Sequence, residues 1–112
     1  MKIYVYAICK NESKFAERFM QSARDADGGF VLDTGSDDDC AAVLAAHGAK
    51  VKTQVFSPFR FDVARNASLA FVPDDGDLYV CMDIDEVFEP NWRASLEKAA
   101  NQAPDAIQFM YR

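Results

Sequence analysis

Short apolar runs alternate with segments of helical spacing along this chain. The runs are rich in Val, Ile, Tyr and Phe, which is typical of buried β-strands. Five strands are predicted, at 3–9, 30–33, 50–56, 78–82 and 106–111. Four helices are predicted between them, one that starts at 11 or 13 and ends before 27, and others at 37–48, 61–71 and 90–101.

This alternation predicts an α/β domain whose strands pair in parallel through right-handed crossovers. We expect a three-layer sandwich with a mainly parallel sheet, in the strand order 3-2-1-4 plus a fifth strand. A chain of 112 residues forms one domain, here 1–112. Because the last predicted strand closes the chain, we expect the domain to be incomplete relative to a longer protein. The apolar edge at 109–111 is also a candidate contact for a homodimer.

Composition narrows the possible partners. Half of the residues are hydrophobic and the net charge is −6, which argues against nucleic acid, since phosphates need a basic face. No apolar stretch approaches the ~20 residues of a membrane span, so the cytoplasm is the expected compartment. Three scattered cysteines, Cys9, Cys40 and Cys81, favour neither a disulfide framework nor a structural zinc site.

Carboxylates follow two of the predicted strands. Asp33 ends the second strand, and Asp83 and Asp85 follow the fourth. In the order 3-2-1-4 all three face one crevice at the carboxyl ends of the strands, where open α/β sheets bind ligands. Asp83 and Asp85, two apart on an extended segment, would project to the same side and share one hard divalent ion. The alternatives are a solvated acidic turn for this pair and a helix-capping role for Asp33.

Four segments together resemble the successive signatures of family 2 glycosyltransferases with the GT-A fold. They are Ala7-Ile8-Cys9-Lys10-Asn11-Glu12, Val31-Leu32-Asp33-Thr34-Gly35-Ser36-Asp37-Asp38, Ala64-Arg65-Asn66 and Met82-Asp83-Ile84-Asp85-Glu86. The resemblance covers nearly the whole chain in the right order. One position departs from it: the second signature usually has two adjacent acids, and here Thr34 stands in the second place.

The resemblance implies a Rossmann-like GT-A donor-binding half that binds a nucleotide-diphospho-sugar, with a UDP-sugar as the family default. It assigns the nucleotide to Ala7, Cys9, Asp33, Arg65 and Asp83, and Mn²⁺ or Mg²⁺ to the Asp83/Asp85 pair. A divalent ion between the phosphates would stabilise the charge on the leaving diphosphate as a Lewis acid. Transfer to an unknown acceptor, with inversion, is the implied reaction.

The catalytic base of inverting members lies well beyond the metal motif. No acid after Glu86 stands in a context that fits this role, so the catalytic residue is unknown and catalysis by this chain alone is in question. Two alternatives stay open. One is a non-catalytic nucleotide-sugar-binding or interaction module. The other is a haloacid-dehalogenase-like phosphatase, because Asp83-Ile84-Asp85-Glu86-Val87 also fits the nucleophile motif of that class.

Overall fold

Strands and helices alternate in the computed structural model of the chain, which describes residues 2–57 and 60–102. Within these ranges the elements are β1 (Ile3–Cys9), α1 (Ser13–Ser22), β2 (Gly28–Asp33), α2 (Cys40–Ala46), β3 (Lys50–Thr53), α3 (Phe61–Phe71), β4 (Leu78–Cys81) and α4 (Trp92–Gln102). The fifth predicted strand and the candidate dimer edge lie outside the described residues. No described helix is long and apolar enough to cross a membrane.

The four described strands form one sheet in which every pairing is parallel, in the order β3-β2-β1-β4. The predicted fold class and strand order are therefore confirmed. β1 occupies the interior of the sheet, with Cys9 opposite Asp33 of β2 and Tyr6 opposite Cys81 of β4. All carboxyl ends consequently meet at one edge of the sheet.

Alternate residues of β1 pack on opposite faces of the sheet, because side chains of a strand alternate in direction. Val5, Ala7 and Cys9 belong to a core shared with α1 and α2. Tyr4 and Tyr6 lie with Phe30, Val72 and Phe71 near the end of α3 on the other face. Helices on both faces make the three predicted layers.

The segment after β4 is fastened to α1 by aromatic and polar contacts. The rings of Phe88 and Trp92 stack with their centroids 4.4 Å apart. The indole N–H of Trp92 donates to the carbonyl of Ser22 at 3.1 Å, and the backbone N–H of Phe88 donates to Oγ of the same serine. Trp92 is thus a packing residue at the start of α4.

Three local expectations were wrong. β3 ends at Thr53 and not at residue 56, and its side chains are mostly exposed. β4 is only half-buried, with Tyr79 exposed, so the expectation that this strand is buried on both faces does not hold. α2 begins at Cys40, and the acids at 37–39 precede it instead of forming its first turn.

We predict that Phe19→Ala lowers the free energy of unfolding by about 3–5 kcal/mol, because it leaves a cavity in the main core. Phe19 is 1% exposed and packs in the core between α1 and the sheet. Urea denaturation at constant m-value measures the change. Val63→Ala is the control, since Val63 is 41% exposed, and its free energy should shift by no more than about 0.5 kcal/mol. Equal losses in the two variants would contradict the described core.

Candidate functional site

Two acidic segments meet at the carboxyl edge of the sheet, on either side of β1. Asp33 is the last residue of β2 and is paired with Cys9, the last residue of β1. Asp83 follows the end of β4 by two residues. Since β2 and β4 are the two neighbours of β1, the sheet places these segments at the same edge, where open α/β sheets bind ligands.

The carboxylate of Asp33 is buried and organises the turn that follows it. Its Oδ1 accepts hydrogen bonds from the N–H groups of Gly35 at 3.3 Å and Ser36 at 3.0 Å, and from Oγ of Ser36 at 2.6 Å. Among the described residues, every hydrogen bond to this carboxylate falls on Oδ1. Gly35 has φ +113°, a conformation that glycine adopts readily and that lets both N–H groups turn back to one oxygen.

The turn after Asp33 is joined to the loop after β1 by Asn11. Its backbone N–H donates to Oγ of Ser36 at 2.9 Å, and its Oδ1 accepts from the N–H of Asp37 at 2.6 Å. Asn11 has φ +55°, which asparagine tolerates better than most residues. α1 begins at Ser13, one of the two predicted starts, and Glu12 is its N-cap residue.

Asp38 links the starts of two helices, a role that the sequence did not indicate. One carboxylate oxygen accepts from the N–H of Ser13 at 3.1 Å and the other from the N–H of Cys40 at 3.0 Å. Desolvation raises the pKa of Asp38, but the hydrogen bonds from Cys40 and Ser13 outweigh it and hold this pKa below its ordinary value. Hydrogen bonds of Asn11, Ser36 and Asp38 therefore join the loop after β1 to the segment after β2.

The second acidic segment is a turn and not an extended continuation of β4. The N–H of Glu86 donates to the carbonyl of Asp83 at 3.0 Å, and Oε1 of Glu86 accepts from the N–H of Asp83 at 3.1 Å. The premise that Asp83 and Asp85 lie on an extended segment is therefore wrong. Both aspartates are nevertheless exposed, while Ile84 between them is fully buried and anchors the turn.

Two arginines reach this turn from helices on opposite faces. Nη2 of Arg65, on α3, lies 3.6 Å from Oδ1 of Asp83. Nη2 of Arg18, on α1, donates to the carbonyl of Asp85 at 3.1 Å. Asp62, the acid nearest to Arg65 within α3, is paired instead with Arg60 at 3.0 Å. Arg65 thus belongs to the candidate site.

Negative charge accumulates around Glu12. Burial raises the pKa of the Glu12 carboxyl, and repulsion by Asp85, Asp83 and Asp38 adds to the effect, against a hydrogen bond to the backbone of Lys10. Negative charge is therefore in excess at this edge of the sheet, and a bound cation would weaken the repulsion between the carboxylates.

The donor set fits a hard divalent ion. Asp83 and Asp85 offer exposed carboxylate oxygens, the ligand type that Mn²⁺ and Mg²⁺ take. Among residues 2–57 and 60–102 no group of three or more His, Cys, Asp and Glu side chains forms a metal cage by itself. Two protein carboxylates with phosphate and water oxygens are the usual ligands of Mg²⁺.

The remaining predicted nucleotide residues are buried. The side chains of Ala7 and Cys9 are fully inaccessible and lie in the core shared with α1 and α2. The carbonyl of Ala7 accepts from Oγ of Ser68 at 3.3 Å. Oδ1 of Asp33 lies 3.8 Å from Sγ of Cys9, so this cysteine supports the turn from below. Direct nucleotide contact by either residue stays a prediction.

Solved structures share this fold. Glucosyl-3-phosphoglycerate synthase from Mycobacterium tuberculosis, in complex with Mn²⁺, UDP and phosphoglyceric acid, matches 96% of the chain with a TM-score of 0.71 and 25% identity. The chain is similar to a glycosyltransferase. The complex of that enzyme with Mg²⁺ and UDP matches the same share at 0.69 and 26%, and the complex with Mn²⁺ and UDP-glucose at 0.70 and 25%. The chain spans 41% of the chain in each of these structures.

The similar structures bear directly on the cofactor prediction, since both Mn²⁺ and Mg²⁺ occur in them together with UDP. Mn²⁺ or Mg²⁺ is therefore confirmed as the cofactor class of the structural neighbours. No protein-family model matches the chain.

We predict that Glu12→Gln stabilises the metal-free protein near neutral pH by roughly 0.5 kcal/mol. The pKa of Glu12 is raised in the folded protein, so protonation of this carboxyl favours folding. The contribution of Glu12 to the free energy of unfolding is complete below its unfolded pKa of 4.5, and it is lost as pH rises through the folded pKa. The variant carries no charge to repel, and its advantage should vanish near about pH 4. Thermal unfolding at the two pH values measures this.

Glu89→Gln is the matched control, since Glu89 is exposed beyond the turn. It should leave the unfolding temperature unchanged at both pH values. A Glu12→Gln variant that is destabilised near neutral pH would contradict the repulsion inferred at this edge.

Proposed function

We propose that this chain is the nucleotide-binding part of a glycosyltransferase that uses a UDP-sugar donor and Mn²⁺ or Mg²⁺. One observation carries the proposal: Asp33 and the Asp83–Asp85 turn flank β1 at the carboxyl edge of a sheet similar to that of an enzyme solved with UDP and Mn²⁺. The chain spans only part of that enzyme. The sugar-transfer reaction is therefore part of the proposal, as the donor site is.

The nucleoside is assigned to the Asp33 side of the crevice. Oδ1 of Asp33 is already engaged by its own turn, which fixes the carboxylate and leaves Oδ2 as the oxygen that would accept from the ligand. A carboxylate oxygen accepts hydrogen bonds from the N–H of a nucleobase or from ribose hydroxyls. Preorganisation by the turn reduces the entropy lost on binding. Ala7 and Cys9 form the floor of this part of the site.

The diphosphate is assigned to the Asp83 side. Asp83 and Asp85 would hold the divalent ion, which when bound supplies Lewis-acid stabilisation of the leaving diphosphate. Arg65 contacts Asp83 through its guanidinium, which leaves it placed to donate a charge-assisted hydrogen bond to a phosphate oxygen. Arg18 holds the Asp85 carbonyl and so orients the turn that presents the two carboxylates.

The acceptor, the catalytic base and the predicted inversion stay predictions. A phosphatase would use Asp83 as its nucleophile, and what favours the glycosyltransferase over it is the fold shared with an enzyme solved with UDP and Mn²⁺. Assays with an aryl phosphate separate the two functions, since the glycosyltransferase proposal expects no phosphate release. Turnover of that substrate would favour the phosphatase.

We predict that Asp85→Ala weakens UDP binding in the presence of Mn²⁺ by at least about tenfold, because one of two metal-holding carboxylates is lost. Isothermal titration with UDP, with and without Mn²⁺, measures the change. The metal-free affinity for UDP should stay the same. Asp74→Ala is the matched control, since Asp74 is an exposed acid in the turn before β4, at the opposite edge of the sheet. The donor site is refuted if both variants bind UDP–Mn²⁺ as the wild type does.

Asp33→Asn should weaken binding of uridine itself, without phosphate or metal, by roughly tenfold. Asparagine keeps an Oδ1 acceptor for the turn, but replaces Oδ2 by an amide N–H₂ that faces ligand donors. Titration of uridine followed by NMR measures this affinity. Asp85→Ala should bind uridine normally, so the two variants divide the nucleoside side of the site from the metal side. Normal uridine binding by Asp33→Asn would sink the assignment of Asp33.

A further inference from the structure

Two thiols face each other beneath the nucleotide crevice. Sγ of Cys9, at the end of β1, lies 2.8 Å from Sγ of Cys40, the first residue of α2. Both side chains are 0% exposed. The two cysteines are 31 residues apart in sequence, and parallel pairing of β1 with β2 brings them together.

The distance is close to that of a covalent bond. The sulfurs are roughly 0.8 Å farther apart than the S–S bond length of about 2.05 Å. Cys81, the third cysteine, lies on β4 against Nη1 of Arg65 at 2.9 Å and is therefore engaged elsewhere.

The pair is also built into the crevice. Sγ of Cys9 lies 3.8 Å from both Oδ1 of Asp33 and Oγ of Ser36. The backbone N–H of Cys40 donates to Asp38, which caps the start of α1 as well. A bond between the sulfurs would lock the end of β1 to the start of α2, around the turn that presents Asp33.

We propose that Cys9 and Cys40 form a reversible oxidation site, in which a hydroperoxide converts the two thiols into an intramolecular disulfide. This modification goes beyond the proposed nucleotide function and requires no bound ligand. The reagent class is a small two-electron oxidant, which reaches the buried pair when the protein opens locally.

The reaction balances in two steps. The thiolate of one cysteine attacks the outer oxygen of the hydroperoxide, and the O–O bond breaks. This cysteine becomes a sulfenic acid, and the alkoxide leaves as an alcohol after protonation. The second sulfur then attacks the sulfenic sulfur, forming the S–S bond and releasing water. Two thiols lose two electrons and two protons in total, and the O–O bond accepts both electrons.

Burial governs how readily this happens. Burial raises the pKa of the Cys9 thiol, and the contact with Cys40 raises it further; burial also raises the pKa of Cys40. Because only the thiolate attacks, the closed protein resists oxidation and the reaction follows a local opening that exposes the pair. The site therefore responds to sustained oxidant and not to brief exposure.

The test is peptide mapping of the full chain after treatment with hydrogen peroxide, followed by denaturation and alkylation without a reductant. Trypsin places the three cysteines in separate peptides, 3–10, 25–50 and 66–93. The expected product joins the first two peptides, with a mass two hydrogens below their sum, and dithiothreitol removes it. Cys81→Ala should keep this product, and Cys40→Ala should lose it completely.

The proposal is overturned if peptides 3–10 and 25–50 remain alkylated as free thiols at a peroxide dose that oxidises Cys81. It is equally overturned if the main cross-link includes the peptide 66–93. Where Cys40→Ala fails to fold, the wild type and Cys81→Ala decide between these outcomes, since each retains the Cys9–Cys40 pair.

Discussion

The candidate site depends on one constraint, the parallel pairing of β1 with β2 on one side and β4 on the other. Parallel strands place their carboxyl ends at the same edge, so any polar residues that follow neighbouring strands must meet. Asp33 follows β2 and the Asp83–Asp85 turn follows β4. An antiparallel β4 would send its acids to the opposite edge, and no local change near Asp33 could restore the crevice.

The carboxylates at this edge of the sheet differ in burial. Asp33 is buried and satisfied on one oxygen by its own turn, so it acts as a fixed acceptor. Asp83 and Asp85 are exposed, repel Glu12 and are met by arginines on both sides. A buried fixed acceptor suits a neutral nucleoside, whereas exposed acids suit a cation. This difference in burial supports the proposed division of roles between Asp33 and the Asp83–Asp85 turn.

The sequence predicted the order of the sheet, the position of Asp33 at the end of β2 and the position of the second acidic segment at the same edge, because each of these follows from pattern and topology. The sequence did not predict the turn from Asp83 to Glu86. This turn is closed by a hydrogen bond from the N–H of Asp83 to the Glu86 side chain, which an apolar run cannot reveal. The sequence also missed Asn11 and Asp38, whose partners are about 25 residues away and come close only in the folded chain.

The partner of Arg65 shows the same limit from the other direction. Within the helix, Asp62 is the acid nearest to Arg65 in sequence, at a spacing of three that favours pairing. The fold instead brings Cys81 and Asp83 of another element to the guanidinium. The exposed Arg65–Asp83 pair, at 3.6 Å, contributes little to stability. The position of Arg65 is better explained by the proposed diphosphate site that it faces. The same topology that carries Arg65 to the acidic turn also carries Cys40 to Cys9, and both results required knowing which strands are neighbours.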